Sequence, residues 1–144
     1  MHITELKQYG LVYLASPYSK YEGGLVNAFG DICRIAAEIV SAGVPIFCPI
    51  AHSHPIAFAG SLDPLSHDLW IPADRPLMNA ADVLLIVKMA GWDKSHGVRI
   101  EVETFENAKK PIFTLDVTTF EVEPLRLPTF TTKSTRTPRS GCAI

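Results

Sequence analysis

Several features are scarce in this chain of 144 residues, and each scarcity closes off a class of function. No apolar run approaches the roughly 20 residues that a membrane-spanning helix needs, and the opening MHITELKQYG lacks the apolar core of a secretion signal. Basic residues are not in surplus. The formal charge is −2, opposite to the balance expected of a protein that grips nucleic-acid phosphates. Cysteine is limited to Cys33, Cys48 and Cys142, an odd number without the CxxC spacing of zinc or redox sites. Reduced thiols, buried at the first two positions, and a cytoplasmic setting are therefore expected. Neither a GxGxxG nor a Walker loop occurs. At 47% hydrophobic residues the chain still carries an ordinary core, and its length suits one domain.

What is present is a strand–loop–helix–strand pattern near the middle. Residues 83–87 (VLLIV) form an unbroken apolar run, as a strand buried on both faces requires. A polar, glycine-bearing turn follows at 91–97, helical spacing runs over 98–108, and Pro111 opens another apolar run at 112–115. This is a βαβ unit, in which ligands gather at the carboxyl ends of the strands beside the helix N-termini. Asp93, Ser95, His96 and Gly97 then lie at the rim, with Glu101 one turn into the helix. At roughly 100° per residue Glu101 shares a face with Phe105 and Ala108, which are expected to pack on the sheet, while Glu103 points away. The helix dipole accounts for Glu103 but not for an acid on the packed face, whose burial is costly without a purpose.

Upstream, residues 11–15 (LVYLA) read as a first strand, ending in the polar turn SPYSKYEGG. Hydroxyls and backbone N–H groups in that position can hold a phosphate, or the loop merely turns the chain. Residues 25–42 have helical spacing with Gly43 as terminator, and 44–48 read as the second strand. The segment PIAHSHPIAFAGSLDPLSHDLW reads as a long irregular loop of the kind that forms lids. His52 and His54, with His67 and Asp68, invite a metal reading, since a His-x-His pair on a strand points both imidazoles the same way. No further ligand arrives at recognisable spacing, so pocket histidines or histidines satisfied by the backbone are preferred. Trp70 is either a stacking surface or core. Residues 72–80 read as a short helix with Asp74 at its start, where capping alone would select an aspartate. Asp82, at the end of its strand away from the rim, reads as structural. Residues 117–127 add at most an edge strand, limited by Pro124 and Pro128. Residues 129–144 hold little to bury and are expected to be flexible or draped on a partner. The pattern predicts an α/β fold: a Rossmann-like, flavodoxin-like three-layer sandwich on a mainly parallel sheet of about four to five strands.

The run Ser95-His96-Gly97-Val98-Arg99-Ile100-Glu101, with Lys110-Pro111 after it, resembles the nucleoside 2-deoxyribosyltransferase-like superfamily. There a glycine four residues before a glutamate opens the catalytic helix, and Lys-Pro starts the next strand. The blocks VYLASPYS, PIAHSHPIA, Trp70…Asp74, AADVLLIV and GWDKSHGV look like a bacterial and phage branch of it, related to nucleoside 5′-monophosphate N-glycosidases. The resemblance covers about residues 11–115, within a catalytic domain of 1–120, and leaves the extension 121–144 unexplained.

It implies cleavage of an N-glycosidic bond, with Glu101 as the nucleophile at the anomeric carbon and Asp74 as a second carboxylate that holds it or moves a proton. Tyr13 matches an aromatic residue near the sugar. Ser95 stands where nucleoside-using transferases tend to carry aspartate and monophosphate-cleaving relatives carry serine; a hydroxyl there welcomes a phosphate that a carboxylate repels. Ser16, Tyr18 and Ser19 lie where the monophosphate hydrolases have Gly-Ser with a nearby arginine, and Lys20 is the cation at hand. With Gly97, His52 and Trp70 they complete the expected binding set. A nucleotide or nucleoside is the implied partner, with no metal or other cofactor, no nucleic-acid polymer, no membrane, and a homodimer or higher homo-oligomer. Base exchange in place of hydrolysis, a nucleotide-binding module without turnover, and a metal hydrolase built on His52, His54 and His67 are the rival readings.

Overall fold

The apolar runs at the centre of the sequence become the centre of a sheet. The protein is seen as a computed structural model in which residues 1–126 are described. Strands β1 (Val12–Ala15), β2 (Ile46–Phe47), β3 (Val83–Val87), β4 (Ile112–Leu115) and β5 (Val122–Pro124) lie in the order β2-β1-β3-β4-β5. All pairs are parallel except β4 with β5. This is the flavodoxin-like order, with its switch point between β1 and β3. Helices α1 (Leu25–Ser41), α2 (Pro49–Gly60), α3 (His67–Ala80) and α4 (His96–Asn107) supply the outer layers, with 3-10 segments at Ile3–Tyr9 and Trp92–Lys94.

Strand alternation divides the core in two. Val12, Leu14, Val83, Leu85 and Val87 face Ile32 and Ile39 of α1 and Leu6 of the first 3-10 segment. Tyr13, Ala15, Leu84 and Ile86 face Met78 of α3 and Val98 and Phe105 of α4. The chain therefore leaves β1 toward one layer and β3 toward the other, and a crevice opens between their carboxyl ends. At the opposite end Asp82 is structural, as expected: its Oδ2 accepts from Leu11 N–H at 2.8 Å. Lys110 Nζ donates to the Asn79 and Ala81 carbonyls at 2.7 and 2.6 Å, closing the carboxyl end of α3.

Three expectations change. The second strand shrinks from 44–48 to Ile46–Phe47. The supposed lid is mostly helix, because Pro49 sits in the first turn of α2, where its missing N–H costs nothing. α2 is apolar nearly all round, so no helical stripe betrays it. Helix α3 starts at His67 behind Ser66 and continues through Pro72 and Pro76. Asp74 is thus mid-helix and is not a cap. The edge strand expected within 117–127 is β5, antiparallel as its position demands. Cys33 and Cys48 are free thiols; Cys33 is half-buried and Cys48 buried. Cys142 lies outside the described residues, as does the rest of the 129–144 segment. Among the described residues no helix is long and apolar enough to cross a membrane.

Gly91, at φ +89°, shows how tightly the crevice loops fit. A Cβ there would stand 2.4 Å from the Lys20 carbonyl oxygen, so loop 16–24 is pressed against the β3–α4 connection where only glycine allows it. Gly91→Ala is expected to lower stability by about 2 kcal/mol, read as a fall in urea midpoint at unchanged slope. A midpoint within error of the parent would contradict that close approach.

Candidate active site

Two helices bring their functional side chains to one hollow by simple periodicity. On α3, Trp70, Asp74 and Met78 are spaced i, i+4, i+8; on α4, Gly97, Ile100 and Glu101 are spaced i, i+3, i+4. Each set lies along one helical face, and both faces border the same open cavity at the carboxyl end of β1. Tyr13 and the loop residues Ser16, Tyr18 and Ser19 form a further side, and Ser95 stands at the start of α4.

The acids sit where water solvates them poorly. Burial, and then the neighbouring Asp74 carboxyl, push Glu101 up to about 8, while the Tyr13 hydroxyl favours its anion. Burial likewise raises Asp74 to about 6, against which the nearby His52 charge acts weakly. Two carboxyls bordering one poorly solvated cavity cannot both ionise cheaply. The pair therefore carries one proton between about pH 6 and about pH 8. Burial, followed by Glu101 and Asp74, drives the Tyr13 phenol far above its ordinary value, so it is a neutral hydroxyl. It lies against Glu101 without a hydrogen bond of full geometry: Tyr13 Oη and Glu101 Oε2 are both buried without a partner. Ser16 Oγ is the third such atom among the described residues. All three belong to residues lining this cavity. Buried polar atoms are nearly always satisfied, so their convergence on one hollow marks a place for a polar ligand.

The start of α4 offers a second kind of contact. Ser95 Oγ accepts the Val98 N–H at 3.3 Å as the cap, which leaves its own proton free to donate. At Gly97 an added Cβ would meet only Ser95 Oγ, at 3.9 Å. The protein's packing does not demand glycine there, and the space its missing side chain leaves belongs to the cavity.

Of the residues singled out from sequence, Tyr13, Ser16, Tyr18, Ser19, His67, Trp70, Asp74, Ser95, Gly97 and Glu101 line this one hollow. His52 does not. On a helix, neighbours two apart point to nearly opposite sides: His52 is exposed beside Phe47, and His54 is buried against Phe29. His67 stacks on His96 with ring centroids 4.7 Å apart and planes 8° apart, an arrangement that does not converge on an ion. Among the described residues no group of three or more His, Cys, Asp or Glu side chains could hold a metal. Sequence reading missed Ile50 and Ser53 of α2, and Leu65, Ile71 and Met78 around α3. The spacing of Trp70, Asp74 and Met78 held a signal that was lost once the helix was started at Pro72.

A family described as a domain of unknown function (DUF1937) matches residues 10–117, which span every strand up to β4 and both acid-bearing helices. No curated protein matches the chain.

The raised acids set the sign of a stability change. Unfolded, each carboxyl ionises near its ordinary value of about 4; folded, they keep protons up to about 6 and about 8. The folded state binds more protons in that window, so stability is full below it and falls as pH rises through it. Glu101→Gln is expected to exceed the parent by about 2 kcal/mol at pH 8.5 and to match it within about 0.5 kcal/mol at pH 4.5. Urea unfolding at the two pH values measures this; the same difference at both would contradict a buried acid.

Proposed function

The chain belongs to the DUF1937 family, whose description assigns no activity, and from the site we propose that it is an N-glycosidase acting on nucleoside 5′-monophosphates through a glycosyl ester on Glu101. The observation that carries this reading is the half-buried Asp74–Glu101 pair, both acids raised by burial, beside unsatisfied hydroxyls in one open cavity. The resemblance to the nucleoside 2-deoxyribosyltransferase-like superfamily supports it at the same residues.

At rest the proton sits mainly on Glu101, the deeper acid. A sugar carbon that becomes cationic favours the anion beside it, which moves the proton to Asp74. The Glu101 carboxylate then bonds to C1′ as the C1′–N bond breaks, and the Asp74 proton passes to the departing base. Water, deprotonated by Asp74, next attacks C1′ and releases Glu101, so atoms and charge balance over the two steps. The Tyr13 hydroxyl orients the carboxylate by donating to it. A 5′-phosphate fits the α4 start, where the Ser95 and Ser16 hydroxyls and the backbone of Gly97 meet the helix dipole. The described lining has no Lys or Arg, and the flanking cations are Lys20 beside Ser19 and Lys94 beside Ser95. For the base, the α2–α3 side offers Leu65, Ile71 and the face of Trp70, whose Nε1–H is already committed to the Asp63 carbonyl at 2.8 Å.

A homodimer is part of the proposal. Ile56, Phe58, Leu62, Leu65 and Leu69, from α2 to the start of α3, are exposed and apolar, and surface of this kind commonly meets a partner. Light scattering is expected to give twice the chain mass, reverting to one chain in Phe58→Glu; a monomeric parent would remove this part.

Free base is expected from nucleoside 5′-monophosphates, with kcat/KM highest between about pH 6 and about pH 8. Glu101→Ala is expected to lower kcat at least ~10³-fold and Asp74→Asn ~10²-fold. Intact-mass analysis after quenching should find a glycosyl adduct on Glu101. Equal turnover of unphosphorylated nucleosides would refute the phosphate assignment. Tight nucleotide binding with no base released would replace the enzyme by a binding module.

A further inference from the structure

We propose that His54 is a positioning residue of this site, holding Tyr18, and with it the loop of residues 16–24, against α2. His54 does not line the cavity. It is buried in α2, its ring stacked on Phe29 of α1 with centroids 4.3 Å apart and planes 9° apart, and tilted against Phe58 at 4.4 Å. Its Nδ1 is joined by a hydrogen bond to the hydroxyl of Tyr18, the cavity-lining residue between Ser16 and Ser19.

A leucine would fill the gap between two phenyl rings without the cost of burying an imidazole. What the imidazole adds is an acceptor. Burial holds His54 below its ordinary value, which favours the neutral ring, and in the tautomer protonated at Nε2 its Nδ1 accepts the Tyr18 hydrogen bond. Burial also raises the Tyr18 phenol, which keeps it a donor. Among the described residues the loop's other ties lead elsewhere: the Tyr21 hydroxyl donates to Asp31 of α1, and the Lys20 carbonyl abuts Gly91 before α4. Beside the edge-on packing of the Tyr18 ring, the Tyr18–His54 bond is the hydrogen bond that joins the loop to α2, whose Ile50 and Ser53 border the same cavity. Release of that bond frees the part of the loop that carries Ser16 and Ser19.

The kinetic consequence rests on the proposed reaction; the tie itself does not. Three variants separate the parts. His54→Phe keeps the ring stack and removes the acceptor, Tyr18→Phe keeps the wall and removes the donor, and the double variant removes both. Amide hydrogen exchange over residues 16–24 is expected to speed up about tenfold in each single variant and no further in the double. KM for a nucleoside 5′-monophosphate is expected to rise about tenfold in His54→Phe with kcat within about twofold. In His54→Asn, whose side-chain carbonyl can accept the bond, the KM rise should be partly reversed. Thermal melts of each variant confirm that the fold is intact. Unchanged exchange in His54→Phe, additive effects in the double variant, or a fall in kcat at constant KM would overturn the positioning role. If the parent protein releases no base, the reaction assignment fails, while the exchange data still decide whether His54 holds the loop.

Discussion

Two carboxyl groups facing one another in a poorly solvated hollow, with no lysine or arginine among the described lining, is the constraint on which this structure turns. Burial disfavours the charged form of each acid, and the Asp74 carboxyl adds to that effect at Glu101, which keeps its proton at neutral pH. The arrangement opposes folding at alkaline pH. A protein selected only for stability would place an amide or an apolar group at Glu101. Sites that hold such tension are where chemistry is commonly found, and the unsatisfied Tyr13 and Ser16 hydroxyls in the same cavity point the same way.

The fold produces this juxtaposition with little extra machinery. α3 runs into β3 and β3 runs out into α4, so Asp74 and Glu101 flank a single central strand. Tyr13 is fully buried on β1, the neighbour of β3, with Phe47 and Phe105 against its ring at 5.7 and 5.9 Å. The phenol therefore cannot swing away from the acid above it. The far ends of these elements are fastened by Asp82 on the Leu11 amide and by Lys110 on the last carbonyls of α3. Fixing the ends leaves the crevice side to hold loops rather than locks.

Much of this was legible in the sequence, for identifiable reasons. The run at 83–87 is apolar without interruption and that at 112–115 is broken only by Thr114, a pattern that suits strands covered on both faces. Glu101 stood out because its helix phase matched Phe105, which the structure buries at 1% exposure. The segment 49–70 was illegible because its signals cancel. α2 is apolar nearly all round, so it lacks a stripe, and prolines at 49, 55 and 64 mimic loop punctuation. The misplaced start of α3 made Asp74 look like a cap and hid its alignment with Trp70 and Met78. The same segment decides where His52 lies, outside the cavity lining. A pair two apart is parallel on a strand and divergent on a helix, so the error in secondary structure became an error in the site.

The side of the cavity formed by Ile50, Ser53 and Leu65 comes from α2 and the turn after it, separate in sequence from both acids. Bulk can be added or trimmed there without disturbing the proton shared on the other side. Under the proposed reaction, selectivity and chemistry are carried by separate stretches of the chain, so a lineage built on this scaffold would have room to change its guest while keeping its acids.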